Sequence, residues 1–538
     1  MTFPGVLAAS LALMLAGAAP SAAAEPNSPH FVHKEGRHAL FVDGAPYLIL
    51  GAQVHNSSAW PEFLPKVWPA IEFLEANTLE VPVYWEQFEP EEGKFDYTVI
   101  DTVLTQAREH NVRLVLLWFG TWKNGSAHYM PLWAKRQPAR FPRLTGKDGR
   151  IVDSPSPFGE ATLAADKRAF TALMRHLKFA DPRHTVIMVQ VENEAGAYGS
   201  MRDYSAAAQS AFESAVPPEI LKAMQKTPAA GATWAQAFGP DADEFFHAWA
   251  VAHFVGQVAA AGKAEYSLPL YTNAAIRDPF HKGPPGSFES GAPTGDVIPI
   301  WKTVAPALDL LAPNLYMSDP VRYQKVLDLY SGPENPLFVP ETGNTPAFGP
   351  LFFAALGRGA IGCAPFGADY TGASNAPLGA SHVDEETLTP FALNYRLAGP
   401  IMRELARLNF EGKLQAVAED KETHAQTLTF GRWSAAISFG VPPFLPAGNP
   451  AGNKEPIGRA VVAQLGDDEF LVSGLSCRVD FQVSDQASGW KREYLRVEEG
   501  GYTNGTFRRT RIWNGDQTDW GLNFTAEPVV LRVKLGNY

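Results

Sequence analysis

Cysteine is nearly absent: 538 residues carry two, Cys363 and Cys477. That scarcity excludes a disulfide-stapled fold, and two cysteines so far apart read as buried free thiols. No C-x-x-C, H-E-x-x-H or phosphate-loop pattern occurs, and the thirteen histidines show no ligand spacing, so neither a metal nor any other cofactor is expected. Positive charge is also short. Lys and Arg number 45 against 57 Asp and Glu, a net charge of −12. Nucleic acid and anionic membranes need a basic patch, so neither is an expected partner. Beyond residue 24 no apolar run reaches the about eighteen residues of a membrane span. Nothing in the sequence speaks to oligomeric state.

The first two dozen residues read as an export segment. Val6 to Ala19 is apolar but short, and Pro20 and the small residues Ser21–Ala24 follow. Ala22 and Ala24 occupy the key positions of an A-x-A cleavage site, although no Lys or Arg precedes the run. The expectation is a mature chain from residue 25 in a periplasm or outside the cell. Hydrophobic residues make up 46% of the chain, enough for a large core and a second domain.

The most informative stretch is Val186 to Tyr198, VIMVQVENEAGAY. A continuous apolar run reads as a strand buried on both faces, and it ends in Glu192-Asn193-Glu194 and a turn. Asn335 to Asn344, NPLFVPETGN, repeats the grammar and delivers Glu341. Similar runs occur at Tyr47–Val54, Thr78–Tyr84, Val112–Phe119, Leu268–Thr272, Leu308–Leu311 and Ala360–Pro365, for eight in all. Segments with helical periodicity, such as Val99–His110 and Lys167–Phe179, separate them. The pattern predicts an α/β fold, a (β/α)8 TIM barrel over residues 25–408 that closes with a helix at Leu393–Leu408. Its chemistry belongs at the carboxyl ends of the strands. Two carboxylates there are the minimum equipment for most glycoside hydrolases.

From Lys413 the texture becomes short and β-rich, with Gly or Pro between strands at Thr427–Phe430, Ser434–Phe439, Arg459–Leu465, Glu469–Val472, Cys477–Val483, Tyr494–Glu498, Thr510–Trp513 and Val529–Lys534. This predicts a C-terminal antiparallel β-sandwich-like domain over residues 409–538. Val441–Glu455 reads as a loop within it. Trp490, Trp513 and Trp520 are its candidates for binding polysaccharide, and anchoring the sandwich core is the alternative for all three.

QVENEAGAYG at Gln190 to Gly199 resembles the acid/base signature of glycoside hydrolase family 35, the β-galactosidases, within a clan of retaining barrel glycosidases. YWEQFEPEEGKFDY at Tyr84 to Tyr97 is similar to the family's segment after strand two. The resemblance implies Glu194 as general acid/base after strand four and Glu341 as nucleophile after strand seven. It implies Asn193 as donor to the sugar 2-hydroxyl and Tyr316 as hydrogen-bond partner of the nucleophile. Glu192 is a rival acid by spacing, because it would share Glu194's face in a regular strand. Asn314, Asn273, Gln53, His55, Glu86, Trp118 and Trp122 are candidate substrate contacts from their strand-end positions alone.

Two departures bear on sugar specificity. The family's Ala-Glu pair after strand three is replaced by FGTWKNG at Phe119 to Gly125, and its tyrosine near strand two by Pro82. What the resemblance implies is a retaining exo-β-galactosidase acting by double displacement on terminal β-D-galactosyl residues of oligo- or polysaccharides, such as plant xyloglucan. The alternatives are a clan relative of β-glucosidase or agarase-like specificity, or a non-catalytic carbohydrate-binding protein.

Overall fold

A computed structural model describes residues 28–538, apart from 282, 284–286, 443, 447, 486, 488 and 504. The expected export segment, residues 1–24, lies outside the described residues. Eight parallel strands close into a barrel. In chain order they are Ile49–Gln53, Thr78–Tyr84, Arg113–Lys123, Val186–Asn193, Leu270–Ala275, Leu310–Leu315, Val339–Thr342 and Gly362–Pro365. Each overlaps one of the apolar runs, with strands five, six and eight beginning two residues later than expected. Most are buried along their whole length, as strands walled by helices must be. Thr98–Glu109 and Glu160–Ala180 form the outer helices where the periodicity predicted them.

Strand three departs from its expected end. It runs four residues past Phe119 to Lys123, and its register with strand four shifts between Trp118 and Lys123. The N-terminal segment was assigned wholly to the barrel, but it opens with a three-stranded antiparallel sheet, His30–Lys34, Arg37–Val42 and Ala45–Tyr47. The predicted closing helix is two helices, Glu385–Ala398 and Met402–Phe410, parted by a turn at Gly399–Ile401. Pro400 lacks the N–H that an uninterrupted helix needs at that point.

The C-terminal strands form a six-stranded and a four-stranded antiparallel sheet. All eight expected strands are present, together with Leu414–Ala418 and Leu522–Phe524. The two sheets enclose their own apolar core around Trp433, Phe470, Phe481 and Leu531. Part of the outer face of the larger sheet is covered by the barrel. Leu414, Val461, Ala463, Leu471 and Val530 join the barrel's hydrophobic cluster. Contact there is close: a Cβ on Gly357 would lie 2.2 Å from the Ala416 carbonyl. Arg459 is buried at the same junction and donates to Asn394 Oδ1 at 2.7 Å and to the Pro390 carbonyl at 3.1 Å.

Cys363 and Cys477 are free and buried. Trp513 anchors the module, buried and donating to Glu499 at 2.6 Å, whereas Trp490 and Trp520 are exposed. Among the described residues no helix is long and apolar enough to cross a membrane, and no cluster of His, Cys, Asp or Glu could hold a metal ion.

Candidate active site

The ends of strands four and seven bring Glu194 and Glu341 into one mouth. Both are buried, Glu194 at 8% exposure and Glu341 at 4%. Glu194 has φ of +50° and Glu192 of +61°, left-handed values that cost a side-chain-bearing residue energy and persist only where the surroundings enforce them. Asn273 supplies part of that enforcement by accepting the Glu194 backbone N–H at 2.8 Å. Asn273 then donates to Asn314 Oδ1 at 3.1 Å, and Asn314 donates to Glu194 Oε1 at 2.7 Å. Three adjacent strands thus hold one carboxyl group.

Glu341 is held differently. The Tyr316 hydroxyl donates to its Oε1, and Gln53 Nε2, from the end of strand one, donates to Oε2 at 3.2 Å. Burial and the charge of Glu194 push Glu341 up to about 7, against the pull of Lys123, Tyr316 and Gln53. Those groups stabilise the anion while the low-dielectric surroundings oppose it. Below them Glu80, on strand two, is held well above the usual carboxyl range by burial and then by Glu341.

Of the expected contacts, Asn193, Asn273, Asn314, Tyr316 and Gln53 gather around the two carboxyls. Asn193 accepts from Lys123 Nζ at 2.9 Å, and its buried amide nitrogen has no partner among the described residues. His55 stands further out, with Nδ1 3.0 Å from Asp369 Oδ1. Burial alone would raise Asp369, but His55 and Thr371 outweigh it and hold the group at about 2.

Three expectations fail. Trp118 turns away from the mouth and donates to Asp166 at 2.9 Å, packed against Trp85, Phe88 and Phe170. Trp122 is fully buried edge-on to Phe254. Both lie in the layer between strands and helices; Trp118 pairs with Val83 in the unbroken register of strands two and three, on the face opposite Glu80 and its partner Val115. Glu86 sits on a short surface helix, Trp85–Phe88, and pairs with Lys135 at 3.4 Å. Glu192, the rival acid, does not share Glu194's surroundings. The left-handed backbone turns it into the wall, where it accepts the Trp122 N–H at 2.7 Å, and burial followed by Asp166 raises it well above the usual range.

Two residues at the mouth escaped the sequence reading. Lys123 is buried, 2.9 Å from Asn193 Oδ1, and its positive charge reaches Glu341 and Glu289. Glu289 arrives from the loop after strand five, pinned because its neighbour Ser290 exchanges two backbone hydrogen bonds with Ala197. Its carboxyl faces Tyr198 and the Ala275 backbone without closing a full hydrogen bond, and burial followed by Glu194 raises it well above the usual range. Glu289 comes from an irregular loop and Lys123 from the end of strand three beyond its apolar run, and neither carries a motif, so the only available signal was a charge inside an apolar or glycine-flanked stretch.

A cavity of about 820 Å³ opens beside this cluster, lined by His55, Tyr316 and Phe366 at its inner end. Another, of about 420 Å³, lies at the opposite ends of the strands near His38 and Leu337, and no carboxylate lines it among the described residues.

Two carboxyl groups at strand ends, one ringed by amides and one by a phenol and an amide, are equipped to exchange a proton and form a bond at one carbon. Residues 39–248 match the family model for glycosyl hydrolases family 35. The match spans strands one to four and includes Glu194 but not Glu341. Residues 391–525 match a model described only as a domain of unknown function. A β-galactosidase of Xanthomonas manihotis is 29% identical over 211 residues, 37% of this chain and 32% of that one. Beta-galactosidase 13 of Arabidopsis thaliana is 25% identical over 163 residues, 29% of this chain and 18% of that protein. The chain therefore spans a third or less of these relatives' length. Among solved structures, the β-galactosidase of Rahnella sp. R3 aligns with a TM-score of 0.48 at 16% identity, covering 70% of this chain and 59% of that one.

Proposed function

We propose that the protein is a retaining exo-β-galactosidase. The observation that carries this reading is the pairing of Glu194 and Glu341 in one buried mouth, each held by its own hydrogen-bonding set. Tyr316 and Gln53 donate to Glu341 and so favour its anion, the form a nucleophile needs. Glu194 takes the acid role. It protonates the departing glycosidic oxygen as Glu341 attacks the anomeric carbon, and a covalent glycosyl-enzyme results. Water then attacks that carbon with Glu194 acting as base, so two inversions restore the original configuration. The unpartnered amide nitrogen of Asn193 supports a bond to the sugar 2-hydroxyl.

The family resemblance over residues 39–248 favours galactose. A different sugar within the same clan is favoured by one observation: FGTWKNG, with Lys123, stands where the family resemblance implies an Ala-Glu pair. Export is part of the proposal, supported by the apolar stretch that ends at Ala24. A panel of nitrophenyl β-galactosides, β-glucosides and other glycosides tests the reading, with the anomer of the first product followed by NMR. Turnover of the galactoside with retention is expected, and turnover with inversion, or none, defeats it.

A further inference from the structure

Strand three leaves its even register just before the mouth. From Trp118 to Lys123 it advances five residues while strand four advances two, from Val191 to Asn193. An even register would set Gly120 against Asn193, and the bulge sets Lys123 there instead. A bulge of this kind re-aims a side chain beside an active site. This one is held from within the wall. Glu192 accepts the Trp122 N–H at 2.7 Å, and Asp166 accepts the Thr121 N–H at 3.2 Å. Gly120 lets the chain pass, because a Cβ there would lie 2.3 Å from Trp118 Nε1 and 2.8 Å from Glu192 Oε1. Beyond the bulge Lys123 and Ser126 exchange backbone hydrogen bonds, and the Gly125 N–H donates to the Glu194 carbonyl at 2.9 Å. Lys123 is therefore presented by backbone tied to both Glu192 and Glu194.

The side chain is buried, and its Nζ lies 5.1 Å from the centroid of the Phe119 ring. The ammonium donates to Asn193 Oδ1 at 2.9 Å and to Asn124 Oδ1 at 2.5 Å, both amide oxygens. An ammonium has three donors and no acceptor, so only the oxygen of the Asn193 amide can face it. The amide nitrogen is thereby committed to the opposite side, where it is buried without a partner among the described residues. A buried donor left unmade costs free energy, and an amide free to turn over would not keep it. The orphaned N–H therefore marks a place for an acceptor on a ligand. The Lys123 charge also acts across the mouth on Glu341 and Glu289, against the repulsion that Glu194 adds to both.

We propose that Lys123 is a positioning residue, which fixes the Asn193 amide with its N–H turned toward the sugar 2-hydroxyl. The proposal rests on the glycosidase reading above and deepens it. The hydroxyl oxygen then meets a donor already aimed at it, and no reorganisation is needed as charge develops at the neighbouring anomeric carbon. A neutral, apolar side chain at position 123 would leave the amide free to present its oxygen to the sugar instead. Glu192 and Asp166 gain a part as well, since they hold the bulge that carries Lys123.

The test is a ratio of rates within one protein, from which the amount of folded enzyme cancels. Wild type and Lys123→Met are assayed on a nitrophenyl β-galactoside and on its 2-deoxy analogue, which has no hydroxyl to receive the bond. In Lys123→Met the ratio of kcat/KM, parent over 2-deoxy, should fall roughly 10-fold, the worth of one buried hydrogen bond. The loss on the parent should appear in kcat more than in KM, as for a contact that strengthens in the transition state. Lys123→Arg keeps a donor-only cation and should recover part of it. In an Asn193→Ala background Lys123→Met should leave the ratio unchanged, because the two groups act through one contact. A ratio that Lys123→Met leaves unchanged in the wild type, or lowers equally in the Asn193→Ala background, would overturn the positioning role. Calorimetry of galactose against 2-deoxygalactose reads the same preference without turnover. A preference that shrinks in Lys123→Met supports the proposal even where no galactoside is hydrolysed, and an equal preference in both proteins overturns it.

Discussion

Asn314 lies in register with Glu341 on the neighbouring strand, yet its amide donates to Glu194 at 2.7 Å. One strand therefore serves both carboxyl groups, because Tyr316, two residues on, donates to Glu341. Their separation is set by backbone pairing in the barrel wall, the most rigid spacer the fold offers. Sites built on strands hold geometry better than sites built on loops.

Glu341→Ala should lower kcat by roughly 10³-fold or more, the scale of losing a nucleophile. Azide should restore part of the activity and form the glycosyl azide of inverted configuration. Near-wild-type turnover in the variant would reassign the nucleophile.

Glu194→Gln should cost about 10²–10⁴-fold on substrates with poor leaving groups and much less on activated aryl glycosides, because only the former need a proton at the departing oxygen. Equal losses with an unchanged pH profile would remove Glu194 from the role.

The Tyr316 hydrogen bond pulls Glu341 down, so its removal in Tyr316→Phe moves the group higher than its present value of about 7. Attack needs the anion, so the acid limb of the kcat/KM profile should shift to higher pH. The rate below that limb should fall roughly 10- to 100-fold, the worth of a hydrogen bond to a charged group. A limb that stays in place while KM changes would make Tyr316 a substrate contact only.

Glu341 also links pH to stability. Its folded value of about 7 exceeds the ordinary 4.5, so between those values the native state binds more protons than the unfolded one. Stability therefore falls as pH rises through that window and stays lower above it. Glu341→Gln removes the buried charge and should raise the melting temperature at pH 8 while leaving it little changed at pH 4. A lower melting temperature at pH 8 would contradict this account.

Cutting the chain near Gly412 should give an insoluble or strongly destabilised barrel. The truncation uncovers the apolar surface that Leu414, Val461, Leu471 and Val530 now seal, and it unpairs Asn394 from Arg459. Solubility and melting temperature of residues 25–412 measure this. A well-folded truncation with unchanged aryl galactoside turnover would make the module an independent appendage.

The eight barrel strands were legible because full burial on both faces leaves uninterrupted apolar runs, and Glu194 and Glu341 because they terminate such runs. The half-exposed strands His30–Lys34 and Arg37–Val42 leave no such trace. Trp118 and Trp122 misled for a different reason. Position at a strand end says that a residue is near the mouth, but which way it points depends on alternation along the strand, and Trp118, paired with Val83, falls on the outward face. Glu192 followed the same logic, since alternation fails where φ turns positive. Glu289 was invisible because loop geometry brings it to the mouth, and Lys123 because strand three runs past its apolar stretch.

The Arg459–Asn394 contact also reaches the barrel's seam. Strands eight and one pair through Gly362–Ile49 and Cys363–Leu50, with a further bridge at Gln53–Phe366, and Tyr395, next to Asn394, donates to the Gly51 carbonyl at 2.6 Å. Gln53, two residues beyond Gly51, is the one that holds Glu341. The consequence is one of timing. Strand one leaves the ribosome among the first elements, yet the latch that seals it is synthesised some 340 residues later and is itself braced by a residue later still. Until then the nascent barrel is an open sheet with a bare edge, and the chain must keep that edge from other strands throughout its synthesis.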